Sequence, residues 1–322
     1  MRTSKGGEHR TGRVVFAPGK LVLAGAYAVL EGAPAIAVAV SRGAFADASR
    51  WTETPTPEVR AALGPDARAP WVDASSMFEA GRKLGLGASA AILVASLAAR
   101  EAEEGSDLSD DRVRERLFQR ARAAHSAAQN GGSGVDVAAS VHGGVIQYVM
   151  GAPVKRVALP PGLRIDVFAC ATSARTSELR AAVDRLKSED PASHRDCMTA
   201  LVAIANDAVG AIQSSDAAAF VEALRRTARG LARLGEAARV GIVPAGFDEL
   251  EAIAMREQAS FSVAGAGGGD VAVRVGPDAP SRAFLERAEA LGLTSLDLTL
   301  DAKGVRVSRT LAGAAELRHV AP

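Results

Sequence analysis

Cysteine is almost absent: the 322-residue chain holds two, Cys170 and Cys197, with no Cys-x-x-Cys pair or Cys/His spacing around them. That excludes a disulfide framework and a structural zinc site. The five histidines (His9, His125, His142, His194 and His319) do not cluster in sequence either. Aromatic residues make up only 4% of the chain, so the core must be built mainly from Ala, Val, Leu and Ile. A surplus of either charge is missing as well, with 38 Lys and Arg facing 37 Asp and Glu. Coating nucleic acid or an anionic membrane needs a basic surplus, so neither is expected as a partner. The longest apolar run, residues 21–40, is interrupted by Glu31, Gly32 and Pro34 and cannot span a bilayer as a helix. Residues 1–12 are polar and basic with no apolar stretch behind them, and read as a flexible arm instead of a signal peptide. The expectation is a cytoplasmic protein, monomer or homodimer.

What is present is ordinary globular material, 48% hydrophobic and 23% charged, long enough for about two domains. Short strands are expected at 13–16 and 21–23 around a Pro18-Gly19 turn, then at 35–40 and 44–48, hinged at Arg42-Gly43. Residues 51–70, which carry Pro55, Pro57, Pro65 and Pro70, read as an irregular excursion. Helices are expected at 88–104 and at 108–129, the second with Ser109 as its N-cap, followed by a strand at 143–149. Pro160-Pro161-Gly162 breaks the pattern and suggests a boundary between a first domain, 13–160, and a second, 161–322. The second begins with a strand at 164–170 and a helical stretch at 176–257, broken by Pro191, Gly210 and Val243-Pro244. Phe220, Leu224, Leu231 and Leu234 share one helical face there. Strands at 260–264 and 271–275, a helix at 281–291 and a closing strand near 305–307 complete an α+β order of elements. Neither heptads nor longer repeats occur.

The 32 glycines need placing, and three segments concentrate them. In the middle lies Gly81-Arg82-Lys83-Leu84-Gly85-Leu86-Gly87-Ala88-Ser89-Ala90-Ala91, ahead of an Ala-rich helix. Glycine lets main chain approach a ligand closely, and a helix start offers unpaired N–H groups and a positive dipole end to an anion. Ser89, in the first turn, can reach a phosphate or Mg2+. The pattern is neither a P-loop nor a dinucleotide fingerprint. Near the N-terminus, Ala17-Pro18-Gly19-Lys20-Leu21 sets a lysine just after a strand. Late in the chain, Ser262-Val263-Ala264-Gly265-Ala266-Gly267-Gly268-Gly269-Asp270 joins two strands. Its four glycines in five positions exceed what a hairpin needs, which points to main chain packed on another loop or on a phosphate.

Pro-Gly-Lys, then Gly-Leu-Gly-x-Ser-Ala, then Gly-Ala-Gly-Gly-Gly resemble, in order, the three motifs of the GHMP kinase superfamily, over roughly residues 14–275. The fold this implies is two α+β domains, the first like domain 2 of ribosomal protein S5 and the second ferredoxin-like, with ATP and acceptor in the cleft between them. A fourth segment, Ala124-His125-Ser126-Ala127-Ala128-Gln129 with Gly132-Ser133-Gly134-Val135-Asp136-Val137-Ala138-Ala139, is similar to the phosphomevalonate kinase branch. Lys83, ahead of Gly85, matches that branch too. Four departures stand out. Ala26 occupies a position usually Glu, and Ala88 a position usually Ser. Asn130, Gly131 and Gly132 stand where a lysine is usual, and a tryptophan-containing segment is reduced to Thr172-Ser173-Ala174-Arg175-Thr176-Ser177.

The resemblance implies an ATP- and Mg2+-dependent phosphotransferase acting on a small anionic substrate, 5-phosphomevalonate. Gly85, Leu86, Gly87, Ala88, Ser89 and Ala90 would lie along the nucleotide phosphates, with Ser89 on Mg2+. Lys20, Lys83 and Asp136 would serve the transfer. His125, Ser133, Gly134, Arg175, Gly267 and Gly268 would meet the acceptor. Read without the resemblance, Lys20 is an exposed turn lysine, Asp136 a helix cap, His125 a core histidine and Arg175 a surface arginine. The run Arg225, Arg226, Arg229 and Arg233 reads as a solvated helix face. A kinase of the same superfamily acting on an alcohol such as mevalonate, and a non-catalytic nucleotide-binding protein of this fold, remain alternatives.

Overall fold

The computed structural model describes residues 13–79, 81–171 and 176–308. Its first strand, β1 (Val14–Ala24), runs without a break through the Pro-Gly pair where a turn was expected. It pairs with β2 (Ala35–Thr52), and the register skips between Pro18, opposite Gly43, and Gly19, opposite Val40. Proline brings no N–H to the ladder, so the pair is accommodated as a bulge, and the strand continues. β2 likewise passes through Arg42-Gly43 without ending.

The excursion after β2 is ordered. Helix α1 (Pro57–Leu63) starts on Thr56, whose hydroxyl accepts from the Val59 N–H, with Pro57 in the first turn. Next come β3 (Ala69–Asp73), which pairs with β2, and a small hairpin of β4 (Phe78–Glu79) and β5 (Arg82–Lys83). Helix α2 (Ala88–Glu103) packs against β1, β2, α1 and α3 (Asp111–Ala128). Its alanines allow that close approach on several sides, and Ala90, Ala91, Leu93, Val94 and Leu97 are all buried. Asp110 caps α3 in place of the expected Ser109, whose hydroxyl instead donates to Asp107. Helix α4 (Val135–His142) leads into β6 (Val145–Tyr148) and β7 (Lys155–Val157).

A second antiparallel sheet is ordered β11-β8-β10-β9, from β8 (Arg164–Ala169), β9 (Ser260–Val263), β10 (Val271–Gly276) and β11 (Thr294–Leu296). Helices α5 (Thr176–Glu189), α6 (Pro191–Gln213), α7 (Ala217–Ala237), α8 (Phe247–Arg256) and α9 (Arg282–Ala290) belong to this half. Pro191 starts α6, whereas Gly210 lies inside it and does not end it. Two apolar cores result. The first lies around β1, β2 and α2; the second gathers Phe168, Phe261 and Phe284. Tyr27 and Ala28, from the segment after β1, are built into the second core and tie the halves together. The chain finally returns to the first sheet, where β12 (Arg306–Val307) pairs with β1. Both cysteines are buried free thiols, and burial pushes the Cys170 thiol up to about 12. Among the described residues no helix is long and apolar enough to cross a membrane.

Candidate active site

The three glycine-rich segments meet. The Lys20 main-chain N–H donates to the Leu86 carbonyl at 2.8 Å, joining β1 to the loop ahead of α2. The Lys20 ammonium turns back to the Gly85 carbonyl at 3.3 Å. From the third segment, the Gly265 N–H donates to Val22 of β1 at 3.1 Å. A methyl group placed on Gly265 would lie 3.7 Å from Lys20 Nζ. Lys20 is therefore enclosed by main chain from all three segments, and is not an exposed turn lysine.

Gly87 sits at the N-cap of α2 in the left-handed region, φ 80°, and no side chain caps the helix. The first N–H groups of α2 therefore have no helical acceptor and point out of its N-terminus. A side chain at position 87 would be strained in that conformation, and its Cβ would stand 3.2 Å from the Lys20 stem and 3.7 Å from Asp136 Cβ. Ala88 and Ala90 turn their methyl groups into the core and Leu86 is fully buried, which leaves only their main-chain groups to a ligand.

Asp136 stands in the first turn of α4, whose N-cap is Gly134, so the side chain is not the helix cap. Its Oδ1 accepts from the Val137 N–H at 2.9 Å, and Oδ2 lies 3.5 Å from Nε2 of the buried His125. The same His125 nitrogen is 3.3 Å from Ser89 Oγ, which also accepts from Gln129 Nε2 at 3.2 Å. Burial holds the Lys20 ammonium below its usual pKa. Asp136 opposes that shift, Lys83 deepens it, and Asp270 opposes it again. Lys83 itself is exposed on the β4–β5 hairpin.

Other residues singled out from the sequence fall differently. The Ser133 hydroxyl accepts from the Val135 N–H at 3.4 Å, and its carbonyl accepts from the Tyr148 hydroxyl. Gly134 packs on the Arg122 stem. The Gly268 N–H is taken by the Ile242 carbonyl at 2.8 Å, and Gly267 lies against the same residue, so Gly265 is the member of its loop beside Lys20. Arg175 lies outside the described residues. Sequence reasoning missed Glu58, whose carboxylate accepts from Gln129 at 2.9 Å, and the Tyr27 hydroxyl, which donates to Ala266 at 2.8 Å. For Glu58 a signal existed: Thr56-Pro57 is a helix start.

Comparison with known proteins fits this geometry. A family model described as the GHMP kinases N terminal domain matches residues 72–144, the span from the end of β3 to just past α4. A phosphomevalonate kinase from Streptomyces sp. (strain CL190) is 29% identical over 370 residues, covering 91% of this chain and 98% of that protein. The chain is similar to the GHMP kinases, and the match to their N-terminal domain falls on the segment that carries the glycine loop and Asp136. Of solved structures, the Lin0012 protein of Listeria innocua superposes with a TM-score of 0.80 at 22% identity, over 93% of this chain and 100% of that one. The Streptococcus pneumoniae phosphomevalonate kinase, solved with phosphomevalonate and AMPPNP, superposes at 0.72 and 19% identity, over 89% of this chain and 99% of its own. These likenesses establish the two-domain α+β GHMP kinase fold. The Ala88 side chain is buried in the core, so the hydroxyl that the resemblance leads one to expect at that position is missing from a place that faces protein.

Proposed function

We propose that this chain transfers the terminal phosphoryl group of ATP to 5-phosphomevalonate, giving ADP and 5-diphosphomevalonate. One observation carries the reading. Lys20, the uncapped N-terminus of α2 and Asp136 share one site, in a chain similar along nearly its whole length to a phosphomevalonate kinase. Phosphoryl transfer asks a protein chiefly for positioning and for charge neutralisation, and these groups supply both.

The γ-phosphate lies at the N-terminus of α2, where main-chain N–H groups and the helix dipole favour negative charge. An oxygen of the acceptor phosphate attacks the γ-phosphorus, the bond to the β-phosphate oxygen breaks, and ADP leaves. A phosphate monoester with a second pKa of about 6 is largely a dianion at neutral pH, so the attack needs no strong base. Asp136 then serves to keep Lys20 protonated against the burial that lowers its pKa. The charged lysine offsets negative charge on the transferred group. Lys83 adds a second cation at the rim.

Among the described residues no group of three or more His, Cys, Asp or Glu could hold a metal. That donor set fits Mg2+ held chiefly by phosphate oxygens and water, with Ser89 Oγ as the protein ligand. Bound there, Mg2+ would neutralise charge on the triphosphate.

A second reading, an alcohol acceptor such as mevalonate, draws on the 3.5 Å contact of Asp136 with His125, a carboxylate–imidazole pair suited to receive a proton. An ADP-release assay across phosphorylated and unphosphorylated acceptors separates the two. Fastest turnover of 5-phosphomevalonate is expected. Preference for mevalonate selects the second reading, and Mg-ATP binding without turnover of any acceptor selects a non-catalytic protein.

A further inference from the structure

The excursion between β2 and β3 carries a carboxylate into the site. Glu58 lies in the first turn of α1, yet it is buried at 7% exposure. Burial alone would raise its pKa. Hydrogen bonds from Gln129, from its own main-chain N–H and from Thr56, with the nearby charge of His125, outweigh burial and hold it below the usual carboxylate value. Glu58 is thus a carboxylate at neutral pH, and the start of a helix is a favourable place for one.

Its partner decides what it can do. Gln129 Nε2 carries two hydrogens. One goes to Glu58 Oε1 at 2.9 Å and the other to Ser89 Oγ at 3.2 Å. A carboxylate only accepts, so it fixes which way the Gln129 amide faces; the flipped amide would set its own oxygen against Glu58. With the NH2 group so fixed, Ser89 Oγ must accept from Gln129. Its remaining lone pair and its hydrogen are left for His125, 3.3 Å away, and for whatever lies at the N-terminus of α2. One polar chain, Glu58–Gln129–Ser89–His125–Asp136, thereby joins α1, α3, α2 and α4.

We infer that Glu58 is a positioning residue of the nucleotide site, acting through Gln129 to hold the Ser89 hydroxyl oriented toward the bound Mg-nucleotide. The inference rests on the placement of Ser89 at the nucleotide phosphates, but not on which acceptor is used. Its role is distinct from a simple tie between α1 and α3, because a tie ends at Gln129 and leaves Ser89 indifferent.

The test is a double-mutant cycle on the full chain with Glu58→Ala, Ser89→Ala and the pair, reading the dissociation constant of Mg-ADP by calorimetry. Thermal unfolding of each variant is followed alongside, and turnover is measured with the best acceptor. Each single change is expected to weaken Mg-ADP about tenfold, the scale of one charge-assisted hydrogen bond. The pair should be no more than about twofold weaker than Ser89→Ala alone, since Glu58 has nothing left to position. Gln129→Leu should match Glu58→Ala, and Glu58→Asp should recover part of the loss. Multiplying losses in the pair would overturn the inference, as would a Glu58→Ala protein that melts earlier but binds Mg-ADP normally. If Glu58→Ala does not fold, the same cycle run with Gln129→Leu decides the matter by the same criterion. Coupled losses in a protein that ignores 5-phosphomevalonate would leave Glu58 in place and change only the acceptor.

Discussion

Asp270 occupies the space that a side chain at position 85 would need: a methyl group on Gly85 would come within 2.3 Å of Asp270 Cβ. Gly85 also sits at φ 68°, where only glycine is free of strain. The loop before α2 and the loop after β9 therefore touch main chain to side chain, with nothing between them.

Gly85→Ala should push the two loops apart. We expect Mg-ATP to bind at least about tenfold more weakly and the protein to lose about 1–2 kcal/mol of stability. Calorimetry and urea unfolding check the two effects separately, and unchanged nucleotide affinity would show that the loops do not share one ligand.

Replacing Lys20 or Asp136 by Ala should lower kcat at least ~10²-fold each, the scale of a single well-placed electrostatic contact in a transition state. If Asp136 works by keeping Lys20 charged, the double variant should be little worse than Lys20→Ala alone. Steady-state rates of the three variants read this directly, and near-native rates in either single variant would remove that residue from the reaction.

The alkaline limb of the rate profile should follow Lys20. Its pKa lies below the usual 10.5, so activity that needs the ammonium falls as pH rises through that lowered value. Lys83→Met removes a cause that lowers the pKa, so the limb should move to higher pH. Asp270→Asn removes a cause that raises it, and the limb should move to lower pH. The unfolded chain binds the extra proton between the lowered pKa and 10.5, so stability should rise with pH across that window. A limb unmoved in both variants belongs to another group.

Tyr27→Phe removes the hydroxyl that donates to Ala266, at the tip of the third glycine loop, and leaves that carbonyl without this donor. A loss of about 1 kcal/mol in urea unfolding is expected. Weaker nucleotide binding should accompany it, because Gly265 and Lys20 are neighbours of the same loop.

The regular elements were legible where hydrophobic spacing is long and uninterrupted. Helix α2 was expected at 88–104 and runs over Ala88–Glu103; β10 was expected at 271–275 and runs one residue further. What misled was local punctuation. Pro18-Gly19 is a turn signal in isolation, but the neighbouring β2 supplies a partner long enough to carry β1 past it as a bulge. The prolines of residues 51–70 hid α1, although Pro57 is placed where proline starts a helix. In the structure Lys20, the loop from Gly85 to Ser89, His125 and Asp136 lie beside one another, each from a segment that the sequence already singled out. The helix start at Thr56-Pro57 was open to reading, but the partners of Glu58 and Tyr27 were not, because each meets its partner across a long stretch of chain and neither sits in a glycine-rich segment.

The pairing of Val15 with Val307 carries a consequence for biogenesis. As the polypeptide leaves the ribosome, the strand that bears Lys20 emerges early, with one of its hydrogen-bonding margins bare. The partner that covers Val15 and Phe16 on that margin follows nearly 300 residues later, roughly 15–60 s at usual elongation speeds. For that interval the nascent molecule presents a template on which another chain can add, so a trimmed C-terminus should betray itself in aggregation before it does in lost turnover.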